Sequence, residues 1–290
     1  MIKRIIEVGI AVRDLSAARK RLIEILGARA GGVIESNEFN MVAQMLRIGN
    51  IEFELMQPTH EAGIISDFLK KRGEGLHHLA FEVDDMKVIL DFMKKQNVKV
   101  INEISVEGIK AAFLHPASFQ GVLFELIEGI IKHVDNEILP TDLQTQIQIE
   151  GIGAEGILEV GIFVNDLEAM RDFYSKILLC EPSEILKLKS LPMKIARCRT
   201  GNVYLNLIEV TEGGCKSEGL FSKDQTGLNH VTLKVANIQS AIAHLKSKGV
   251  DFNEDPMGLR DSRSVLIHPK ELCGVPIVLM EAAHPLAKNQ

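Results

Sequence analysis

Apolar and polar positions along this chain follow two rhythms that alternate in a fixed order. IIEVGIAV, from Ile5 to Val12, is β-branched and apolar and reads as a strand; Asp14 follows as a helix N-cap. Leu15, Ala18, Leu22 and Ile25 then recur at helical spacing, and Gly27 is placed to stop the helix. MVAQMLRI from Met41, a Gly49-Asn50 turn and IEFELMQP from Ile51 complete the unit as a hairpin. The order recurs three times. The second unit has LHHLAFEV, Asp84-Asp85 at a helix start, MKVILDFMKKQ, KAAFLHP and GVLFELIE. The third has ILEVGIFV, Asp166, LEAMRDFYSKILL, PMKIARCR, Gly201-Asn202 and VYLNLIEV; the fourth has NHVTLKV, NIQSAIAHLKSKG, SVLIHP and GVPIVLMEA.

These units match at the level of single residues. EVGIAV from Glu7 pairs with HLAFEV from His78, and FELMQP from Phe53 with FELIEG from Phe124, each 71 positions on. Both strand openings return 152 positions later, as EVGIFV from Glu159 and HVTLKV from His230. A repeat at fixed period marks a supersecondary unit that cannot bury its apolar face alone. Four βαβββ units in two pairs predict an α+β protein of two similar domains, over residues 1–130 and 155–290, with a polar linker at 131–154.

Composition narrows the function. With 290 residues, 46% hydrophobic and 25% charged, the chain is an ordinary globular protein with room for two domains. A net charge of −6 argues against a nucleic-acid partner, and 5% aromatics without Trp against a base-stacking platform. Lys70, Lys71 and Arg72 still form a local basic cluster suited to an anionic ligand. No apolar run is long enough to span a bilayer, and the first residues enter a strand pattern without a cleavable apolar segment, so no membrane partner is expected. Cys180, Cys198, Cys215 and Cys273 show no paired spacing and fit a reducing cytoplasm.

The paired arrangement resembles the vicinal oxygen chelate superfamily, which includes glyoxalase I, extradiol dioxygenases, bleomycin-resistance proteins and methylmalonyl-CoA epimerases. VGIAVRDL (Val8 to Leu15), FELMQPT (Phe53 to Thr59), RGEGLHHLAFEVDD (Arg72 to Asp85) and AAFLHPASFQGVLFELIE (Ala112 to Glu128) resemble the epimerases. Gly73-Glu74-Gly75-Leu76-His77-His78 is the most specific of these stretches. The second half resembles the superfamily only, through EVGIFVNDL, GLNHVTLKV and IHPKELCGV.

The resemblance implies tandem vicinal-oxygen-chelate domains, each with a curved sheet around a cleft, and a divalent metal held by one residue from each of four strands. Carried over by position, the ligands are Glu7, Glu54, His78 and Glu125. The family pattern usually has His where Glu7 stands. Three carboxylates and one imidazole suit Mn, Co, Mg or Zn. Taken singly, Glu7 reads as a sheet-edge charge and His78 as a hydrogen-bonded core histidine; Glu54 and Glu125 sit inside apolar runs, where a lone carboxylate is costly. His77 alternates to the opposite strand face and reads as structural. In the second domain the corresponding residues are Glu159, Asn206, His230 and Val278, too few donors for a conventional site.

The implied activity is an isomerase like methylmalonyl-CoA epimerase, abstracting the α-proton of an acyl-CoA or related acid. Glu125 is the matched catalytic base. The family's other base would fall near Ala43, where only Gln44 is polar, so Glu7 is the second candidate. A glyoxalase-like lyase and a non-catalytic binding protein of the bleomycin-resistance type remain open. Single superfamily domains commonly dimerise through their sheets; a homodimer is one expectation, and the tandem meeting that contact within one chain is another.

Overall fold

A computed structural model describes residues 1–129 and 151–281, apart from 107, 189–190, 212–224 and 256–262. The expected linker at 131–154 falls for the most part outside the described residues, as does Cys215; Cys180, Cys198 and Cys273 are free thiols.

The first half runs β1 (Ile2–Ala11), α1 (Leu15–Leu26), β2 (Arg29–Ser36), β3 (Met41–Ile48), β4 (Ile51–Pro58), α2 (Ile64–Arg72), β5 (Gly75–Val83), α3 (Met86–Lys95), β6 (Val100–Val106), β7 (Ile109–Leu114) and β8 (Leu123–Glu128). Its eight strands form one sheet in the order β2-β3-β4-β1-β5-β8-β7-β6. The second half repeats the order with β9 (Ala154–Phe163), α4 (Leu167–Leu178), β10 (Leu186–Lys187), β11 (Met193–Thr200), β12 (Val203–Val210), β13 (Gly227–Val235), α5 (Ile238–Ser247), β14 (Phe252–Glu254), β15 (Ser264–Ile267) and β16 (Ile277–Met280). Its sheet reads β10-β11-β12-β9-β13-β16-β15-β14. The fold is α+β, with two curled sheets in tandem, each made of two βαβββ units joined by the antiparallel pairing of their first strands.

Alternation along the central strands assigns their two faces. Val8, Ile10, Phe53, Leu55, Leu79, Phe81, Phe124 and Leu126 join the core with Ala18, Leu22 and Ile25 of α1 and Met86, Ile89, Leu90 and Met93 of α3. Burying each large apolar side chain contributes about 1.5–3 kcal/mol, so a one-residue slip of any of these strands would exchange core for cleft. The residues between them, Glu7, Glu54, His78 and Glu125, are thereby committed to the concave face. The helices start as their polar caps dictate: the side chains of Asp14, Asp85, Asp166 and Asn237 accept from the backbone N–H three residues on. Gly27 ends α1 in the left-handed conformation.

Two features go beyond the sequence reading. The first strand after each helix (β2, β6, β10, β14) was not separately legible; all four lie on the outer flanks of the sheets, and β10 and β14 are two and three residues long. Helix α2 was also missed. It packs through Ile65 and Leu69 against Ala11, Ala43 and Met56, beside the cleft of the first sheet.

The halves meet around an approximate two-fold. Asn50 Oδ1 accepts from the Ile157 N–H at 3.3 Å, and at the equivalent place Asn202 Oδ1 accepts from the Ile5 N–H at 3.3 Å. One buried apolar cluster runs through both halves, with the Phe119 ring 5.6 Å from that of Tyr174.

Candidate functional site

Four adjacent strands, β4, β1, β5 and β8, make the floor of the first cleft. Gly9 of β1 is in register with Glu54 on one side and His78 on the other, and Glu125 of β8 pairs with Ala80 of β5. All four residues carried over from the sequence therefore converge. His78 Nε2 lies 3.2 Å from Glu7 Oε1, 3.6 Å from Glu54 Oε2 and 3.3 Å from Glu125 Oε2. Gly9 makes this possible: a Cβ there would stand 2.2 Å from the His78 ring, so only glycine lets the imidazole cross β1.

The cluster is buried and short of positive charge. Side-chain exposure is 5% for Glu7, 10% for Glu54, 14% for Glu125 and 3% for His78. Burial raises the Glu54 carboxyl well above the ordinary 4.5, with the Glu7 and Glu125 charges adding to it. Burial also raises Glu7, partly offset by its hydrogen bond to His78. Burial pulls the His78 imidazole down, but hydrogen bonds to Glu125 and Glu7 outweigh this and hold it well above 6.5. Among the described residues no Lys or Arg pairs with any of the three carboxylates. Three carboxylates thus share a single imidazole.

That donor set fits a divalent cation. Donor atoms of Glu7, Glu54 and His78 all lie within 4.8 Å of one another, and Glu125 adds a fourth beside His78. Ligands about 2.0–2.2 Å from one metal stand roughly 3–3.5 Å apart, close to the distances found here. Carboxylate oxygens with a single imidazole are a donor set for Mn, Co, Mg or Zn.

A cavity of about 660 Å³ opens above the cluster. Met41, Met45, Met56, Phe68 and Phe113 line it, and Lys71 and Arg72 of α2 stand on its wall. Its acidic lining residues are Glu7, Glu54, Asp67 and Glu125. Gln44 is not among them; its amide donates to the Gly31 carbonyl at 3.2 Å. One expectation is overturned. His77 does not turn to the opposite face but lines this cavity, because β5 bulges there: Gly9 pairs with His78 and Ile10 with Leu76, leaving His77 as an extra residue. Burial, helped by the charges of His78 and Arg72, pushes the His77 imidazole down to about 3.

The second domain holds a different answer to the same buried acid. Glu159 Oε1 accepts from Arg197 Nη2 at 2.6 Å, Glu159 Oε2 from the Asn206 amide at 2.6 Å, and Asn206 Oδ1 from Arg197 Nε at 3.1 Å. Arg197 faces Asn206 across its hairpin as Met45 faces Glu54 in the first domain. A guanidinium thus stands where the first domain has a thioether, and the copy is neutralised by its own side chain. His230 lies over Gly161 as His78 lies over Gly9, and burial pulls its imidazole down to about 4. The sequence reading missed Arg197, although a charge in the inward phase of an apolar strand was a signal for it.

Two curled sheets of paired βαβββ units, one with an acid-and-imidazole cluster at its cleft floor, define a tandem-domain cleft protein. The Glyoxalase/Bleomycin resistance protein/Dioxygenase superfamily model matches residues 7–113 and again 159–266, and the chain belongs to that superfamily. Over the first domain it is 34% identical across 127 residues to mitochondrial methylmalonyl-CoA epimerase of Bos taurus, covering 42% of this chain and 73% of the relative. It is also 34% identical across 131 residues to ethylmalonyl-CoA/methylmalonyl-CoA epimerase of Cereibacter sphaeroides, covering 43% of this chain and 98% of that protein. A mutant of 4-hydroxymandelate synthase from Streptomyces coelicolor matches 98% of this chain and 94% of its own, with a TM-score of 0.74 and 15% identity; the likeness is one of fold. Among the described residues no helix is long and apolar enough to cross a membrane.

Proposed function

We propose that the first domain is a metal-dependent isomerase that removes and returns the α-proton of an acyl-CoA or related acid, as methylmalonyl-CoA epimerases do. The observation that carries this reading is the convergence of Glu7, Glu54, His78 and Glu125 on the floor of a cavity, with no Lys or Arg among the described residues to balance them. The identity of the first domain to the epimerases supports it. We take residues 1–130 and 155–290 as the two domains, with 131–154 as their linker.

Glu7, Glu54, His78 and Glu125 would hold a divalent metal (Mn, Co, Mg or Zn). When bound it would act as a Lewis acid toward the thioester oxygen, on which negative charge develops as the α-proton leaves. Glu125 is the most exposed of the three carboxylates and is assigned as the base at that carbon. Glu7 flanks His78 on the other side, one strand beyond, and is the second acid–base candidate for inversion. The methionines and phenylalanines of the wall exclude water from an enolate, and Lys71 and Arg72 supply positive charge for the phosphates of a CoA.

Deuterium uptake from heavy water into methylmalonyl-CoA tests the reading, because it reports proton removal even where inversion is slow. Uptake with added Mn²⁺ or Co²⁺ is expected, and Glu125→Gln is expected to remove it while leaving the fold intact. Uptake unchanged in the Gln variant rejects Glu125 as the base. No uptake in the wild type favours a ligand-binding protein of the bleomycin-resistance type, a reading to which the self-neutralised second domain lends support.

A further inference from the structure

The bulge in β5 has a counterpart in the other half of the molecule. In β13, Gly161 pairs with His230 and Ile162 with Leu228, so Asn229 is the extra residue where β5 has His77. Both bulged residues turn toward the histidine that follows them. Asn229 Oδ1 lies 2.8 Å from His230 Nδ1, and His77 Nδ1 lies 3.1 Å from His78 Nδ1. A carboxamide oxygen only accepts, so in the second domain the proton sits on His230 Nδ1 and Nε2 is left bare. No hydrogen bond reaches that buried Nε2.

We propose that His77 is the positioning residue of the first site: its Nδ1 accepts the Nδ1–H of His78, selecting the tautomer in which Nε2 offers its lone pair to a divalent cation. The reverse tautomer would put a proton on Nε2, between imidazole and metal. The bulge supplies the acceptor at the right place, and the edge-on contact of the His77 ring with Phe68, 4.9 Å between centroids, holds that ring in place. The bulge is a shared device, with an imidazole as acceptor in one domain and an amide in the other. His77 acts through His78 and has no direct part in the chemistry. Loss of such an outer partner of a ligating histidine typically costs about 10–100-fold in metal affinity.

This inference rests on the metal reading above, and one titration separates the two. Co²⁺ is titrated into the chelator-stripped full chain and followed by calorimetry and by the cobalt absorption band. His77→Asn, which installs the acceptor used by the second domain, is expected to keep wild-type affinity. His77→Leu and His77→Phe, which lack an acceptor, are expected to lose about 10–100-fold with far-UV dichroism unchanged. Should Leu misfold, Phe keeps the ring and its contact with Phe68. Wild-type affinity in a folded Leu or Phe variant overturns the positioning role and leaves the metal reading standing, as does an Asn variant that weakens as far as they do. A wild-type chain that takes up no Co²⁺ overturns both.

Discussion

Single residues set the geometry of both clefts, and glycine sets most of it. At Gly9 and Gly161 an added methyl would stand 2.2 Å from the histidine ring that crosses it. Gly9→Ala is expected to displace His78, to cost about 1–3 kcal/mol in denaturant unfolding, and to abolish metal uptake. Gly161→Ala is expected to cost a similar amount with metal uptake unchanged; a matching loss of uptake would show that the first site depends on the second cleft. His230 gives a prediction about acid stability. Its folded pKa is depressed from 6.5 to about 4, so it contributes stability that is present above 6.5 and lost as pH falls from there toward 4. His230→Phe is expected to flatten that arm of the stability–pH curve by on the order of 1–3 kcal/mol, measured by chemical unfolding between pH 7 and pH 4. An unchanged slope would mean that His230 does not resist protonation in the folded chain.

Helix α2 borders the cavity of the first domain. It joins the two units of the first domain, anchors by Ile65 and Leu69, and carries Lys71 and Arg72 to the cavity wall. Neither cation has an ion-pair partner among the described residues, so both are available to an anionic substrate. Reversing both charges (Lys71→Glu with Arg72→Glu) is expected to raise KM for a CoA thioester by about tenfold or more at low salt. The effect should shrink as ionic strength rises, and Co²⁺ affinity, set deeper in the cleft, should not move. Equal KM values for the variant and wild type would remove α2 from substrate binding.

For the molecule as a whole, the two domains surround equivalent buried acids in different ways. In the first, no Lys or Arg among the described residues pairs with the three carboxylates, which on the proposed reading would hold a divalent cation; the second covers Glu159 with Arg197. One divalent ion per chain is the expected stoichiometry, and metal analysis giving two would contradict the role assigned to Arg197. Arg197→Met, which copies Met45, removes one partner of a buried ion pair and is expected to cost about 3–5 kcal/mol in equilibrium unfolding. The pseudo-two-fold contacts of Asn50 with Ile157 and Asn202 with Ile5 are paired as in a symmetric dimer, although both sides belong to one chain.

The sequence by itself determined the four-fold unit repeat, the helices that open on a polar cap, and the inward side chains of the central strands, because alternation and N-capping are local and leave their mark residue by residue. The family resemblance named Glu7, Glu54, His78 and Glu125 as one site, and the repeat of 71 positions agreed with it, since it puts equivalent residues at equivalent depths. Only the tertiary structure decided where His77 points, because a bulge arises from the register between β5 and β1 and from neither strand alone. It alone showed Arg197 as the cation of the second cleft, since that depends on which residue faces Asn206 across a hairpin. The strands on the flanks of the sheets stayed hidden for a related reason: with one side open they need no apolar rhythm of their own, and the neighbour they pair with defines them.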